Sequence, residues 1–264
     1  GEFTFSGMYL LVGYGNIGSQ LSVLAEALGM SVIFHDATHK LPLGNARQVK
    51  DLGELLQLSN IVSFHVPEHE STTNMMSKIQ FQQIKEGAVL INASRGRVID
   101  IDELSLALAS GHVSGAAIDV FPVEPRSVNE EFLSPLREFD NCILTPHVGG
   151  STMEAQENIG VEVANKLIKF SDNGSSHSAV NFPQVSLPDH PGSHRILHIH
   201  RNVPGVLAQI NNFFSDNGIN ISSQFLQTNE LTGYVVTDID QEYSQMAVKK
   251  LQEIDGTIKT RVLF

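Results

Sequence analysis

An open, doubly wound α/β domain followed by a small antiparallel α+β sandwich is the fold this sequence predicts. Three features predict it. Up to about residue 146, short and nearly continuous apolar runs alternate with amphipathic stretches, as parallel strands do when helices cover both faces of their sheet. A stretch at 180–192 that holds three prolines then breaks this rhythm. Beyond it the order of runs becomes βαββαβ, which places helices on one face of an antiparallel sheet.

Taken in order, MYLLV (8–12) is the first strand and NIGSQLSVLAEALG (16–29) the first helix. SVIFH (31–35), IVSFH (61–65) and AVLIN (88–92) are the next strands, and DELSLALASG (102–111) is a second amphipathic helix. GAAID (115–119) and CILTP (142–146) complete the first sheet. Gly29 and Gly111 stand where helix C-terminal turns take a left-handed residue. Thr152 caps a helix reaching about Phe170, with Glu154 in its first turn, and SDNGSSHS (171–178) reads as a loop. VNFPQVSLPDHPG (180–192) reads as an extended linker. The expected domains are therefore 1–150, a helix-and-linker segment 151–192, and 193–264. In the last of these, HRILHIH (194–200) is a strand, RNVPG a turn and VLAQINNFFSDNG (206–218) a helix. Strands at 219–228 and 232–240 flank the turn NEL, and a helix around Tyr243–Ile254 leads to a final strand at 257–264.

Composition narrows the classes of function. Twenty-nine acidic residues against 17 Lys and Arg give a net charge of −12, which argues against nucleic acid or an anionic membrane as partner. No apolar run is long enough to span a bilayer, and no signal-peptide pattern precedes the first strand. The single cysteine, Cys142, excludes an internal disulfide and suits a reducing cytoplasm.

The strongest motif is Gly13-Tyr14-Gly15-Asn16-Ile17-Gly18, lying between the first strand and the first helix. Gly13 permits the tight turn, Gly15 lets backbone approach a pyrophosphate, and Gly18 lets helix and strand pack closely. The helix start offers N–H groups to phosphate. Asp36, at the end of the second strand, is placed to accept hydrogen bonds from ribose hydroxyls and to repel a 2′-phosphate, so NAD is expected over NADP. A plain turn beside a solvent-facing acid is the alternative.

Three later strand ends carry chemistry-bearing residues. Arg95, between Ser94 and Gly96, offers a two-pronged donor for a substrate carboxylate, whereas Arg97 reads as a surface cation. Glu124, held between Val123 and Pro125, is suited to orient a histidine, with a structural acid as the other reading. His147, after Thr145 and Pro146, carries an imidazole that can exchange a hydroxyl proton. An Arg, a Glu and a His at the same sheet edge as the glycine turn fit hydride transfer at a carbon bearing a hydroxyl. His65 either lines the cofactor crevice through its backbone or caps its strand. His35, His39, His69, His112, His177, His190 and His194 are expected to be solvated and without partners.

GYGNIGSQL, HVP (65–67), NASRGRVID, AAIDVFPVEP and TPHVGGST together resemble the D-isomer-specific 2-hydroxyacid dehydrogenases, a likeness that runs over essentially the whole chain. It implies a Rossmann-type domain in which Arg95, Glu124 and His147 are catalytic. It implies NAD contacts at Gly13, Gly15, Asn16, Ile17, Gly18 and Asp36, and at His65, Val66, Pro67, Ala93, Ser94 and Arg95. Asp119 is expected near the nicotinamide carboxamide, with His147, Val148, Gly149 and Gly150 lining the same pocket. The C-terminal runs resemble the branch of the family that oxidises 3-phosphoglycerate to 3-phosphohydroxypyruvate, also reduces 2-oxoglutarate, and forms a cytoplasmic homotetramer. In that branch the last module is an ACT domain that binds L-serine as inhibitor, here through His200, Asn202 and Asn220. Strand alternation agrees in setting His198 and His200 on one face, and two His without a nearby Cys or carboxylate argue against a metal. A glyoxylate or D-lactate dehydrogenase, or a non-catalytic NAD- and serine-binding protein, are the rival readings. The family also implies a substrate-binding lobe ahead of the glycine turn, so this chain is expected to be a fragment without it.

Overall fold

The computed structural model describes residues 7–125, 127, 129–240 and 244–264, in two compact units that meet in sequence between Ser151 and Thr152. Gly1–Ser6, and Tyr243 at the expected start of the last helix, lie outside the described residues.

The first unit holds β1 (Met8–Val12), α1 (Asn16–Ala27), β2 (Ser31–His35), β3 (Arg47–Gln48), α2 (Leu52–Leu58) and β4 (Ile61–Phe64). It continues through α3 (Lys78–Gln83), β5 (Ala88–Asn92), α4 (Ile101–Ala109), β6 (Val113–Ile118) and β7 (Cys142–Leu144). The seven strands pair in the order β3-β2-β1-β4-β5-β6-β7, and every pairing is parallel. Both faces are covered, which is why the strands read as unbroken apolar runs. Leu10, Val62, Phe64 and Leu90 are buried on one face with Leu55, Phe81 and Leu104. Leu11, Val32 and Phe34 are buried on the other with Tyr14 and Ala25. The chain order reverses between β1 and β4, and the carboxyl ends of those two strands deliver Gly13 and His65 side by side, the place where open α/β sheets bind ligands.

The six expected strands are all present. The two-residue edge strand β3 is additional, as are the short helices α2 and α3. α2 starts on a clean signal: Asp51 accepts from the N–H groups of Gly53 and Glu54.

The second unit begins with α5 (Met153–Asn173), capped by Thr152, whose side chain accepts from Ala155 N. The helix runs three residues past its expected end, because Gly174 takes the left-handed conformation (φ 80°) that closes a helix. β8 (His194–Arg201), α6 (Val206–Asp216), β9 (Ile221–Thr228), β10 (Thr232–Ile239), α7 (Ser244–Leu251) and β11 (Thr257–Leu263) follow. They form an antiparallel sheet in the order β11-β8-β10-β9, the ferredoxin-like βαββαβ arrangement. Ile196, Val235 and Ile239 pack under α6 and α7 with Ile210, Phe214 and Leu251. The opposite face is covered by the segment expected as an extended linker: Val185 and Leu187 are buried against Leu197, Tyr234 and Val236. Three prolines keep this segment extended while its apolar residues pack like an added strand.

Candidate active site

The glycine turn is built by close packing. Gly13 has φ 94°, donates its N–H to His35 O, and lies so close to the His65 carbonyl that no side chain fits. Gly18 is equally closed, by the Gly13 carbonyl. Between them, the Tyr14 ring stacks on Phe34 and its hydroxyl meets Ser22 Oγ and Leu43 N, which anchors the turn to the protein. Gly15 differs: a methyl group there would meet nothing within 4 Å. It is the N-cap of α1, and no side chain caps that helix. Open space before uncapped N–H groups is what a pyrophosphate requires.

Asp36 completes this half of the site. One oxygen accepts from Tyr14 N at 2.9 Å, and the other from Thr38 N and Thr38 Oγ1. Burial opposes its ionisation, but these hydrogen bonds and the nearby Lys40 charge outweigh burial and hold the carboxyl below its ordinary value. The group is therefore an anion at neutral pH. A carboxylate has about four acceptor positions, so one remains for a ribose hydroxyl. These residues fit a dinucleotide without a 2′-phosphate.

The two kinds of glycine predict opposite phenotypes. Gly13→Ala or Gly18→Ala is expected to lower stability by about 1–3 kcal/mol through overpacking. Gly15→Ala should leave the unfolding midpoint unchanged and weaken NADH binding by about tenfold or more. Thermal melts read beside fluorescence titrations with NADH check both, and a Gly15→Ala chain that melts early would refute the distinction.

The loop after β5 is organised by Asn92, a buried residue that sequence reasoning passed over. Its Oδ1 accepts from Ser94 N and Ser94 Oγ, and its Nδ2 donates to Arg95 O. Arg95 is exposed, and among the described residues the one hydrogen bond its guanidinium makes is from Nη1 to Ser94 O, so most of its donor fork is free. Gly96 lies against the Phe121 backbone with no room for a Cβ, which seats the Arg95 loop beside the turn carrying Glu124.

His147 and Glu124 meet directly. His147 Nδ1 lies 3.0 Å from Glu124 Oε2 and 3.1 Å from Oε1. Burial pushes the Glu124 pKa up, but the hydrogen bonds from His147 and from Phe121 N bring it below the ordinary value. An ionised carboxylate only accepts, so the proton belongs on His147 Nδ1, and Nε2 is the free basic nitrogen. His147 has φ 51°, unusual for any residue but glycine. Asp119 holds this turn: one of its oxygens accepts from both Thr145 Oγ1 and His147 N. Phe121, Pro125, Phe132, Leu144 and Pro146 line an open cleft of about 590 Å³ with the pair. Arg95 does not line that cleft, and among the described residues no hydrogen bond joins it to either partner.

The remaining predicted positions fall around this edge. His65 donates its N–H to Val12 O and sets its ring nitrogen 2.9 Å from Ser63 Oγ, while burial lowers its pKa. Val66 lies beside Gly13, and Pro67 O accepts from Thr72 Oγ1. Asn16, Ile17, Ala93, Val148, Gly149 and Gly150 are exposed, whereas Ser94 is buried. The expectation that the other histidines are without partners is corrected at several of them, among them His194, whose ring stands edge-on to Phe264. His35 meets Val49 O, His112 meets Ile84 O, and His69 caps a short turn through Ser71 N. Each of these three reaches a nearby backbone group left unpaired at a strand or helix end.

In the second unit, His200 is buried on β8 with its Nδ1 3.3 Å from His198 Nδ1. Asn202 donates from Nδ2 to Asn229 O, and Asn220 is exposed just before β9. No hydrogen bond among the described residues joins the three.

Comparison with known proteins places both units. Residues 6–149 match the sequence model of the D-isomer specific 2-hydroxyacid dehydrogenase NAD binding domain, and residues 196–259 match an ACT domain of the AHAS small subunit-like kind. A D-3-phosphoglycerate dehydrogenase of Haemophilus influenzae is 60% identical over 96% of this chain, which covers 62% of that protein. The enzyme of the same name from Escherichia coli K12 is 57% identical over 100% of the chain, covering 65% of its length. The chain thus spans somewhat under two thirds of these relatives. Among solved structures, an NAD complex of a D-isomer specific 2-hydroxyacid dehydrogenase from Lactobacillus delbrueckii ssp. bulgaricus has TM-score 0.58 at 28% identity, over 66% of this chain and 56% of that one. A D-lactate dehydrogenase from Sporolactobacillus has TM-score 0.57 at 33% identity, over 68% and 56%.

Proposed function

The chain belongs to the D-isomer specific 2-hydroxyacid dehydrogenase family with NAD as its cofactor, and on that premise we propose that it acts as an NAD-dependent D-3-phosphoglycerate dehydrogenase. The reaction is oxidation of 3-phospho-D-glycerate to 3-phosphohydroxypyruvate, with reduction of 2-oxoglutarate as a side activity. The observation that carries this reading is the His147–Glu124 pair at 3.0 Å, set at the sheet edge that bears the open glycine turn. The attached ACT domain supports L-serine as feedback inhibitor over a D-lactate or glyoxylate role. The family resemblance supports a cytoplasmic homotetramer, and no helix among the described residues is long and apolar enough to cross a membrane. We also take 1–150, 151–192 and 193–264 as the functional divisions.

The family resemblance and the geometry support the roles proposed for these residues. NAD, when bound along Gly13–Gly18 and Asp36, supplies the two-electron acceptor. His147 Nε2 removes the proton from the substrate hydroxyl. Glu124 stabilises the imidazolium that results, and its contact with Nδ1 sets the tautomer of the neutral ring, with the lone pair on Nε2. Arg95, with its fork largely free, holds the substrate carboxylate. Asp119 keeps the His147 backbone in its strained turn.

The test is NADH formation from 3-phospho-D-glycerate, with D-lactate and glycolate as the competing hydroxy acids, in this chain and in one extended to its relatives' length. We expect 3-phospho-D-glycerate to have the highest kcat/KM and L-serine to depress the rate. A preference for D-lactate would overturn the substrate assignment, and a rate indifferent to L-serine would overturn the regulatory one.

A further inference from the structure

The ACT unit contains a buried chain of polar groups that ends at His200. Thr257 Oγ1 lies 3.0 Å from the Leu251 carbonyl, which can only accept, so the hydroxyl proton is spent there. The same oxygen lies 2.9 Å from His198 Nε2, which must therefore donate to it. The His198 ring is buried and faces a second imidazole, and burial first and His200 second push its pKa down to about 4. A neutral ring carries one proton, and that proton is on Nε2. His198 Nδ1 is then a lone pair, 3.3 Å from His200 Nδ1, so His200 has to supply the N–H between them. Burial also lowers the His200 pKa, so the ring is neutral and its own Nε2 is left as a lone pair. Among the described residues nothing hydrogen-bonds that nitrogen, although His200 is only 3% exposed. Its ring lies flat on Gly233, where any Cβ would overlap it.

We infer that Thr257 and His198 are positioning residues that fix His200 as a hydrogen-bond acceptor toward the amino-acid effector. This rests on the assignment of His200 to the effector site made above. An acceptor there pairs with the ligand's ammonium or hydroxyl and leaves its carboxylate to other donors. The geometry also gives Gly233 a purpose, because a side chain would displace the ring.

Nitrogen-15 NMR of the histidine rings in the intact chain, read beside calorimetric titration with L-serine, tests the inference. The expected spectrum has His198 protonated at Nε2 and His200 at Nδ1. Thr257→Val removes one of the two groups that hold the His198 Nε2 proton, the other being the Leu251 backbone. It should shift His200 toward the Nε2–H form and weaken L-serine binding by about tenfold, while Thr257→Ser should restore both. L-alanine, which lacks the hydroxyl, and L-glycerate, which lacks the ammonium, identify the donor by which one binds worse. A proton on His200 Nε2 in the unsubstituted chain overturns the inference, as does binding of both analogues as tight as that of L-serine. So does a Thr257→Val chain with altered tautomers and unaltered affinity. If L-serine fails to bind while the spectrum is as expected, the effector assignment falls and the proton order stands.

Discussion

Replacing His147 with asparagine is expected to lower kcat by about 10²–10⁴-fold and to leave NADH affinity unchanged. Asparagine is the informative replacement, because the turn holds residue 147 at φ 51° and asparagine tolerates that conformation better than alanine. The backbone N–H still reaches Asp119, so the loss is confined to the basic nitrogen. Steady-state rates measured with equilibrium binding of NADH separate the two effects. Retained turnover would move the acid/base role to another group, and lost NADH binding would show that the turn, not the imidazole, was damaged. Glu124→Gln should reduce kcat by a smaller factor, because a neutral amide cannot stabilise the imidazolium. The sign of its pH effect follows from the depressed Glu124 pKa. A carboxylate depressed in the folded state contributes stability that is full above its unfolded pKa and is lost as pH falls through the folded one. Wild type and Glu124→Gln should thus differ in stability at neutral pH and converge in acid, below the ordinary value of 4.5.

The half of the site that the sequence disclosed is the half built from local geometry. Gly13, Gly15 and Gly18 act within one turn, through the conformation of Gly13, the open space at Gly15 and the packing of Gly18 on Gly13 O. Their spacing is therefore informative even though Gly13 also packs on His65 O. His147 and Glu124 could be paired because each follows its own strand in a parallel sheet, and parallel strands present their carboxyl ends together. Asn92 escaped notice, and so did the hold of Asp119 on the His147 turn, for the opposite reason. Asn92 closes the end of a buried strand, where a polar residue reads as a mere terminator. Asp119 acts on residues 26 and 28 positions away, and no periodicity encodes such partners. β3 was illegible because two residues cannot display an alternation. α2 and α3, with seven and six residues, barely complete one repeat of an apolar stripe. The end of α5 was the avoidable miss. Ser171, Asp172 and Asn173 suggested a loop, but Gly174 directly after them carried the stop signal. Proline content also misled at 180–192, since it excludes regular strand pairing without excluding burial.

The same segment leads to the largest expected loss of stability, at Arg195. Its guanidinium is fully buried and makes a two-pronged ion pair with Asp238, with Nε and Nη2 at 2.7 and 2.8 Å from the carboxylate oxygens. The third nitrogen, Nη1, donates to Asn173 O at the end of α5 and to Pro188 O in the extended segment. One side chain thus ties β8 and β10 to the helix end and to the strip covering the sheet. Arg195→Ala is expected to cost the second unit about 3–5 kcal/mol, because it strands a buried carboxylate. Lysine should rescue little, since a single ammonium cannot fork across both oxygens and still reach two carbonyls. The double variant Arg195→Met with Asp238→Leu discriminates between causes. An apolar pair of similar size is often neutral where only the buried charges matter, but here it leaves the carbonyls of Asn173 and Pro188 without their donor. We therefore expect the double variant to recover part of the loss in urea unfolding, and a Tyr234→Phe change, which deletes the bond to Gly174 O, to lower it further. Full recovery would mean that Arg195 serves Asp238 alone and that the segment is held by Val185 and Leu187.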